Sequence, residues 1–432
     1  MFSINGRDYR LREVEQSAYV ELFADVARDF GTRAPRSSLA AEPPAEALPC
    51  RALLTEPISP LIRDGYGDPA VLWVPEERLY YCVVTSNDAA YSFPVLRSAD
   101  LERWELAGFA FPPGAKPGWC ADGERVGDFW APELHRVRDG YLLCFSAREK
   151  DRSLAIGLAR AAHPAGPFVP QPEPLIRGGM IDAHLFVGSD GEMLLFWKED
   201  SNGRWPRLLA RLLSEHGGLG EALFDDEADR RTAALTAALW PWAARVEPME
   251  QFFILQPLIE TVVEHYGAMR ERLERSGIDP RQAEAVLQAM RTPIYAQRLS
   301  PELRLIGERH IVMVNDLEWE AHLIEGPWLT EQDGRFYLFY SGNDFSTAEY
   351  GIGAAVAPTP LGPYRKMPEP LLKSGRDWTG PGHPSVAPSL DGEPQLFLHA
   401  FRPGAVGYKA FRALLTTKLR FDADGMRVEK PA

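Results

Sequence analysis

Ile324-Glu-Gly-Pro-Trp-Leu-Thr330 runs through Gln332-Asp-Gly334 into Phe336-Tyr-Leu-Phe-Tyr340. Two apolar runs joined by Asp-Gly read as a β-hairpin, because Asp-Gly supplies the left-handed backbone that closes a tight turn. A third run of small residues follows, Tyr350-Gly-Ile-Gly-Ala-Ala355, and then Gly362-Pro-Tyr364. The series recurs along the chain. Ala70-Val-Leu-Trp-Val74 turns at Pro75-Glu-Glu77 into Leu79-Tyr-Tyr-Cys-Val-Val84. Glu133-Leu-His-Arg-Val137 turns at Arg138-Asp-Gly140 into Tyr141-Leu-Leu-Cys-Phe145, with Leu154-Ala-Ile-Gly-Leu-Ala159 and Gly166-Pro-Phe168 behind it. Ala183-His-Leu-Phe-Val187 turns at Ser189-Asp-Gly191 into Met193-Leu-Leu-Phe-Trp197, and Ser385-Val-Ala-Pro388 turns at Leu390-Asp-Gly392 into Gln395-Leu-Phe-Leu-His399. Five imperfect units of three or four strands predict an all-β fold, a five-bladed β-propeller. A β-sandwich is the competing reading, but a sandwich has no need to repeat chemistry at its strand starts.

One stretch departs from this texture. Between Trp205 and Pro293 the pattern is helical. Asp225–Trp240 is rich in Ala and Leu behind an acidic first turn, which suits a helix N-terminus. Pro257–Arg275 places Leu258, Ile259, Val262, Tyr266, Met269 and Leu273 on one helical face, and Asp279-Pro280 opens a further helix to Met290. This predicts a helical insertion over 206–293 inside the third blade. A packed ornament or a dimer surface is the favoured role for it, and a lid over the pocket the alternative. Residues 1–50 read as an adapter, with helical spacing from Val14 to Phe30 and an Ala/Pro/Ser-rich linker from Ala34 to Pro49. The propeller is expected over 51–432.

The chain has 432 residues, 45% hydrophobic and 25% charged, so it can bury a large core. Its formal net charge of −14 disfavours nucleic acid and anionic membranes as partners and permits neutral ligands such as sugars. Cys50, Cys82, Cys120 and Cys144 form no Cys-x-x-Cys pair and read as reduced thiols. No run of about 18 apolar residues marks a membrane span, and the first ten residues lack an apolar signal core. A cytoplasmic location is the expectation.

Three carboxylates sit at strand starts: Asp68 in Gly67-Asp68-Pro69, Asp182 in Ile181-Asp182-Ala183 and Glu325 in Glu325-Gly326-Pro327. Taken singly, each reads as a turn residue or a strand cap. Together they open the first, third and fourth units in what look like equivalent places, so a propeller can aim all three at one channel mouth. Glycosidic bond hydrolysis uses such groups: one carboxyl keeps a proton for the leaving oxygen, and another, ionised, activates water. For inversion the two stand about 6.5–9.5 Å apart. A third carboxylate nearby raises the pKa of the acid.

Gly67-Asp68-Pro69, Ser98-Ala-Asp-Leu-Glu-Arg-Trp104, Trp130-Ala-Pro-Glu133, Ile181-Asp182, Trp197-Lys198, Ile324-Glu-Gly-Pro327, Tyr340-Ser341 and Gly382-His383-Pro384 together resemble glycoside hydrolase family 43, from about Ile58 to Leu419 apart from the helical insertion. That family comprises five-bladed propeller enzymes acting on arabinofuranosides and xylosides. The resemblance implies Asp68 as general base, Glu325 as general acid and Asp182 as the residue that tunes and orients the acid. It implies an inverting enzyme, with no cofactor expected to be required; the lack of an evident signal peptide favours small oligosaccharides or glycosides as substrates. Fructoside-acting propellers usually carry Arg-Asp-Pro where this chain has Ile181-Asp-Ala183, which argues against them. His383 stands where some members hold a calcium ion through waters. Arg402 resembles the arginine that reaches the sugar, and Trp130, Phe129, Trp328 and Phe345 are candidate pocket walls. Glu133 reads as a cap or a pairing residue within the second blade. A second reading, kept alive by the insertion and adapter, is a repurposed propeller that binds or modifies a glycosylated small molecule. A homo-oligomer through the insertion fits either.

Overall fold

Alternating apolar runs closed by Asp-Gly form hairpins because the turn needs positive φ at both central residues. In the computed structural model, Asp333 and Gly334 have φ of 51° and 71° between the paired Gln332 and Arg335. The structure describes residues 2–4, 7–9, 16–35, 44–86, 91–121, 128–407, 410–422 and 425–429. Val14, with which the predicted first helix begins, and half of the predicted linker (36–43) lie outside these.

After a two-stranded antiparallel sheet of Phe2–Ile4 and Arg7–Tyr9, five larger antiparallel sheets succeed one another along the chain. The first is built from Gly67–Val74, Leu79–Thr85, Ser92–Ser98 and Glu105–Phe111. The second holds Trp130–Val137, Gly140–Arg148, Leu154–Ala161 and Val169–Pro170. The third holds Met180–Val187, Met193–Glu199, Pro293–Leu299 and Leu305–Val314. The fourth holds Ile324–Gln332, Arg335–Gly342, Gly351–Ala357 and Arg365–Lys366. The fifth holds Thr379–Pro388, Pro394–Phe401, Arg412–Asp422 and Gly425–Val428, and Arg51–Leu54 from the other end of the chain pairs with its third strand. The first strands of the sheets touch in cyclic order, the fifth returning to the first, as blades do around a propeller axis. Most strand residues are buried on both faces, because each blade is covered by its neighbours. Val71, Tyr80 and Leu96 of the first blade pack with Phe397 and Leu414 of the last, and Leu142 and Ile156 of the second with Leu185 and Trp197 of the third. Among the described residues, no helix is long and apolar enough to cross a membrane. All four cysteines are buried free thiols.

A helix, α1 (Gln16–Phe30), precedes the five larger sheets. Six more lie between the second and third strands of the third blade: α2 (Arg204–Glu215), α3 (Leu219–Leu223), α4 (Glu227–Ala243), α5 (Pro248–Glu264), α6 (Tyr266–Arg275) and α7 (Pro280–Ala289). The Asp226 side chain caps α4 by accepting from the backbone of Ala228 and Asp229, as an acidic first turn should. The single helix expected over 257–275 is two helices. His265 leaves the helical region (φ −119°, ψ 33°) and separates α5 from α6, while α5 begins earlier and carries Pro257 in its interior. Tyr19, Leu22, Phe23 and Val26 of α1 pack on Leu235, Leu239, Phe253 and Ile254 of α4 and α5. Arg33 extends the contact by pairing with the buried Asp229 and with Glu264. The N-terminal segment is therefore joined to the insertion.

Candidate active site

Every first strand carries a bulge at one place: between Gly67 and Ala70, Trp130 and Glu133, Ile181 and His184, Glu325 and Trp328, and Gly382 and Ser385. The residue inside each bulge has positive φ: Asp68, Ala131, Asp182, Gly326 and His383, between 45° and 58°. Four are not glycine, and a side chain there costs roughly 1–3 kcal/mol. The surrounding bonds hold the strain. The N–H of Ala131 donates to Thr85 of the preceding blade, that of Asp182 to Ser146, that of His383 to Ser341 and that of Asp68 to His399. Each acceptor stands at the same register, opposite the residue before its own blade's bulge. In the third blade that place belongs to Lys198, which cannot accept. The N–H of Gly326 therefore donates to Asp182 Oδ2 at 3.0 Å, and Lys198 Nζ is left to bond Glu325 Oε2 at 3.1 Å.

The three acidic residues are thus not equivalent, contrary to expectation. Asp68 and Asp182 occupy bulges, whereas Glu325 precedes one. Its counterparts in the other blades are Gly67, Trp130, Ile181 and Gly382. Gly382 has to be small: a Cβ there would lie 1.9 Å from the ring of Tyr350, whose hydroxyl donates to Glu325 Oε1 at 2.8 Å.

All three carboxylates are buried and line one cavity of about 550 Å³. Their electrostatic surroundings differ. Burial pushes the Asp68 carboxyl up, but Arg412, His383 and His399 outweigh it and hold the group well below the ordinary carboxylate range. The Arg412 guanidinium touches Asp68 Oδ1 at 2.8 Å. Glu325 moves the other way. Burial, helped by the charge of Asp182, raises it against the pull of Lys198. Burial also raises Asp182, against His383 and Lys198. One carboxyl is held as an anion and one is pushed toward keeping its proton, the combination needed for paired acid and base work.

The remaining candidates divide. His383 lines the cavity, with Nδ1 3.5 Å from Asp68 Oδ1. Trp130 lines it too, one ring face lying under the Arg148 guanidinium. Phe345 lines it, stacked parallel to Phe252 of α5. Phe129 does not: it is fully buried among Phe93, Phe111 and Phe145, because its side chain turns into the core between blades. Trp328 does not either; two residues past the bulge, it packs against His135 and His184. Arg402 points away, pairing with Glu56 at 3.0 Å and lying over Trp378. The arginine that touches Asp68 is Arg412, on the next strand. Lys198, Tyr350, His399 and Arg412 were not singled out as site residues from the sequence. Lys198 had a signal: aligned on their hairpins, the five second strands put Thr85, Ser146, Lys198, Ser341 and His399 at one position, and only the lysine is a fixed cation.

Among the described residues one group has metal-ligand spacing, the buried Glu133, His135 and His184. Its atoms are already engaged. Glu133 Oε2 meets His135 Nε2 and His184 Nδ1, each at 2.8 Å, while His184 Nε2 accepts from Leu329 N–H. Glu133 thus pairs within its blade and also across to the third. Burial holds His184 neutral, its pKa lowered to about 3. This is a hydrogen-bonded plug in the channel.

The insertion helps to build the cavity. Arg207 of α2, Glu247, and Pro248 and Phe252 of α5 line it. Of the expected roles for the insertion, this lining bears on the alternative, in which it shapes the pocket.

The family model described as Glycosyl hydrolases family 43 matches residues 58–222 and 278–427. The gap contains α4, α5 and α6. The chain is 26% identical over 306 residues to "Xylosidase/arabinosidase 43A" of Humicola insolens, covering 70% of this chain and 75% of that protein. It is 22% identical over 289 residues to a xylosidase/arabinosidase of Bacteroides ovatus, covering 67% and 69%. Among solved structures, a thermostable family-43 glycoside hydrolase superposes with a TM-score of 0.60 at 26% identity, over 88% of this chain and 96% of that one.

Proposed function

The chain belongs to family 43 of the glycosyl hydrolases and is a glycosidase, and we propose that it removes terminal β-D-xylosyl or α-L-arabinofuranosyl residues with inversion. The observation that carries this reading is the opposed setting of Asp68 and Glu325 in one cavity. Asp68, ionised beside Arg412, takes a proton from water as that water attacks the anomeric carbon. Glu325 gives its proton to the glycosidic oxygen as the bond to it breaks. Asp182 orders the turn after Glu325 through Gly326 N–H, and its charge adds to burial in raising the pKa of the acid. Protons return through solvent between turnovers. The names of the similar proteins support a pentosyl substrate. A calcium ion, if bound, would be held through waters at His383 as a structural aid, and no proton transfer runs through it.

The test is Glu325→Gln. Loss of a general acid is expected to cut kcat/KM on alkyl pentosides by about 10²–10⁴. Activated aryl pentosides, whose leaving groups need little protonation, should suffer much less. Equal losses on both, or retained turnover of alkyl pentosides, would remove Glu325 as the acid. Proton NMR of the first-formed anomer checks inversion.

A further inference from the structure

The carboxylates lie at the buried end of the cavity, and the partly exposed end is different in kind. There Phe252 of α5 and Phe345 of the fourth blade lie parallel, centroids 6.1 Å apart and planes 6° apart, with Pro248 beside them. The pair is held in place. Phe252 and Gln256 are one turn apart on α5, and Gln256 Nε2 donates to Ser346 Oγ at 2.7 Å, next to Phe345. Behind Phe252, Phe253 is fully buried against Tyr19 of α1. The loop that carries Phe345 leads to Tyr350, which bonds Glu325. Phe252 and Pro248 fall in the gap of the family match, whereas Phe345 lies within it.

We propose that this wall is the subsite for the leaving group, and that it selects glycosides whose aglycone is a flat apolar ring, such as a phenol or another aromatic alcohol. The proposal rests on the pentosidase reading above for what occupies the deep end. A sugar presents hydroxyls around its edge and needs donors and acceptors there; Phe252, Phe345 and Pro248 offer none, and Arg207 and Glu247 are the polar side chains that the insertion adds to the same cavity. A planar apolar group loses nothing against them and gains buried area and ring stacking. The cavity, at about 550 Å³, also lies within the roughly 300–1,000 Å³ of sites that hold whole drug-sized molecules.

The experiment is calorimetric binding to the full-length protein, which needs no turnover. The probes are benzyl and methyl 1-thiopentosides in the β-D-xylo and α-L-arabinofuranosyl series, thio-linked xylobiose, and free 4-methylumbelliferone. The benzyl compound is expected to bind about tenfold more tightly than the methyl compound in at least one series. That ratio should collapse in the Phe252→Ala/Phe345→Ala pair. If that pair fails to fold, Phe252→Leu/Phe345→Leu, which keeps bulk but not flat rings, should remove most of it. Equal affinities, or an advantage that survives the substitutions, overturn the proposal. So does a gain for thio-xylobiose as large as that for benzyl, which would make the wall a sugar subsite. If no thiopentoside binds, the pentosidase reading fails and methylumbelliferone decides alone: binding lost in the variants supports the wall, and no binding overturns it.

Discussion

Glu325 stands between opposite influences. Lys198 and Tyr350 donate to its two oxygens and favour the anion, while burial and Asp182 favour the acid. The net direction is upward, so removing any one neighbour should move a limb of the pH–rate profile in a known sense. With Glu325 as the acid, the alkaline limb follows its pKa. Lys198→Met removes a cation that lowers that pKa, and the alkaline limb should move to higher pH. Asp182→Asn removes a charge that raises it, keeps an acceptor for Gly326, and should move the same limb to lower pH. The acid limb follows Asp68. Arg412→Met removes the cation that counters its burial, so this limb should move to higher pH. Profiles of kcat/KM on one pentoside check all three shifts, and a Lys198→Met limb moving downward would break the assignment.

At the scale of the strand, the bulge is the device that aims side chains at the axis. It accepts a side chain at positive φ in four blades, so strain there is tolerated, whereas close approach elsewhere is not. Gly326 and Gly382 separate the two effects. Gly326→Ala places a Cβ at φ 56° and 3.0 Å from His383 Nδ1, and should cost about 1–2 kcal/mol while the fold survives. Gly382→Ala meets no φ penalty, but its Cβ would lie 1.9 Å from a ring that is buried all round. It should cost about 3 kcal/mol and dislodge Tyr350 from Glu325. Urea melts of both variants give the comparison, and a Gly382→Ala protein as stable as Gly326→Ala would contradict it.

At the scale of the molecule, the N-terminal segment and the insertion act as one body against the propeller. Deleting residues 1–35 uncovers Phe253, Ile254, Leu235 and Leu239. The loss of Tyr19, Leu22, Phe23 and Val26 from that face should cost on the order of 5 kcal/mol, taking each buried side chain near the lower end of the roughly 1.5–3 kcal/mol range. Because α5 also carries Phe252, KM for aryl pentosides should rise in the truncated protein. Unchanged stability together with unchanged KM would show that the segment is a passenger.

Much of this was legible in the sequence, because it depends on chemistry within a few residues. Asp333-Gly334 closes a hairpin whatever surrounds it, and the acidic residues at 225–227 cap a helix from nearby. The order of hairpins, the break in the third blade and the identity of three carboxylates followed from the same local rules. The neighbours of those carboxylates did not. Lys198 reaches Glu325 across 127 positions and Arg412 reaches Asp68 across 344. Such meetings exist only once the blades close around the axis. The one-residue offset of Glu325 from the bulge, the choice of Arg412 over Arg402 and the turn of Phe129 into the core were likewise decided by strand register and blade packing. Residue types told which groups can hold or give a proton. Tertiary structure decided which one holds it, because burial and a charge a few ångströms away set a pKa, and neither is a property of the local chain.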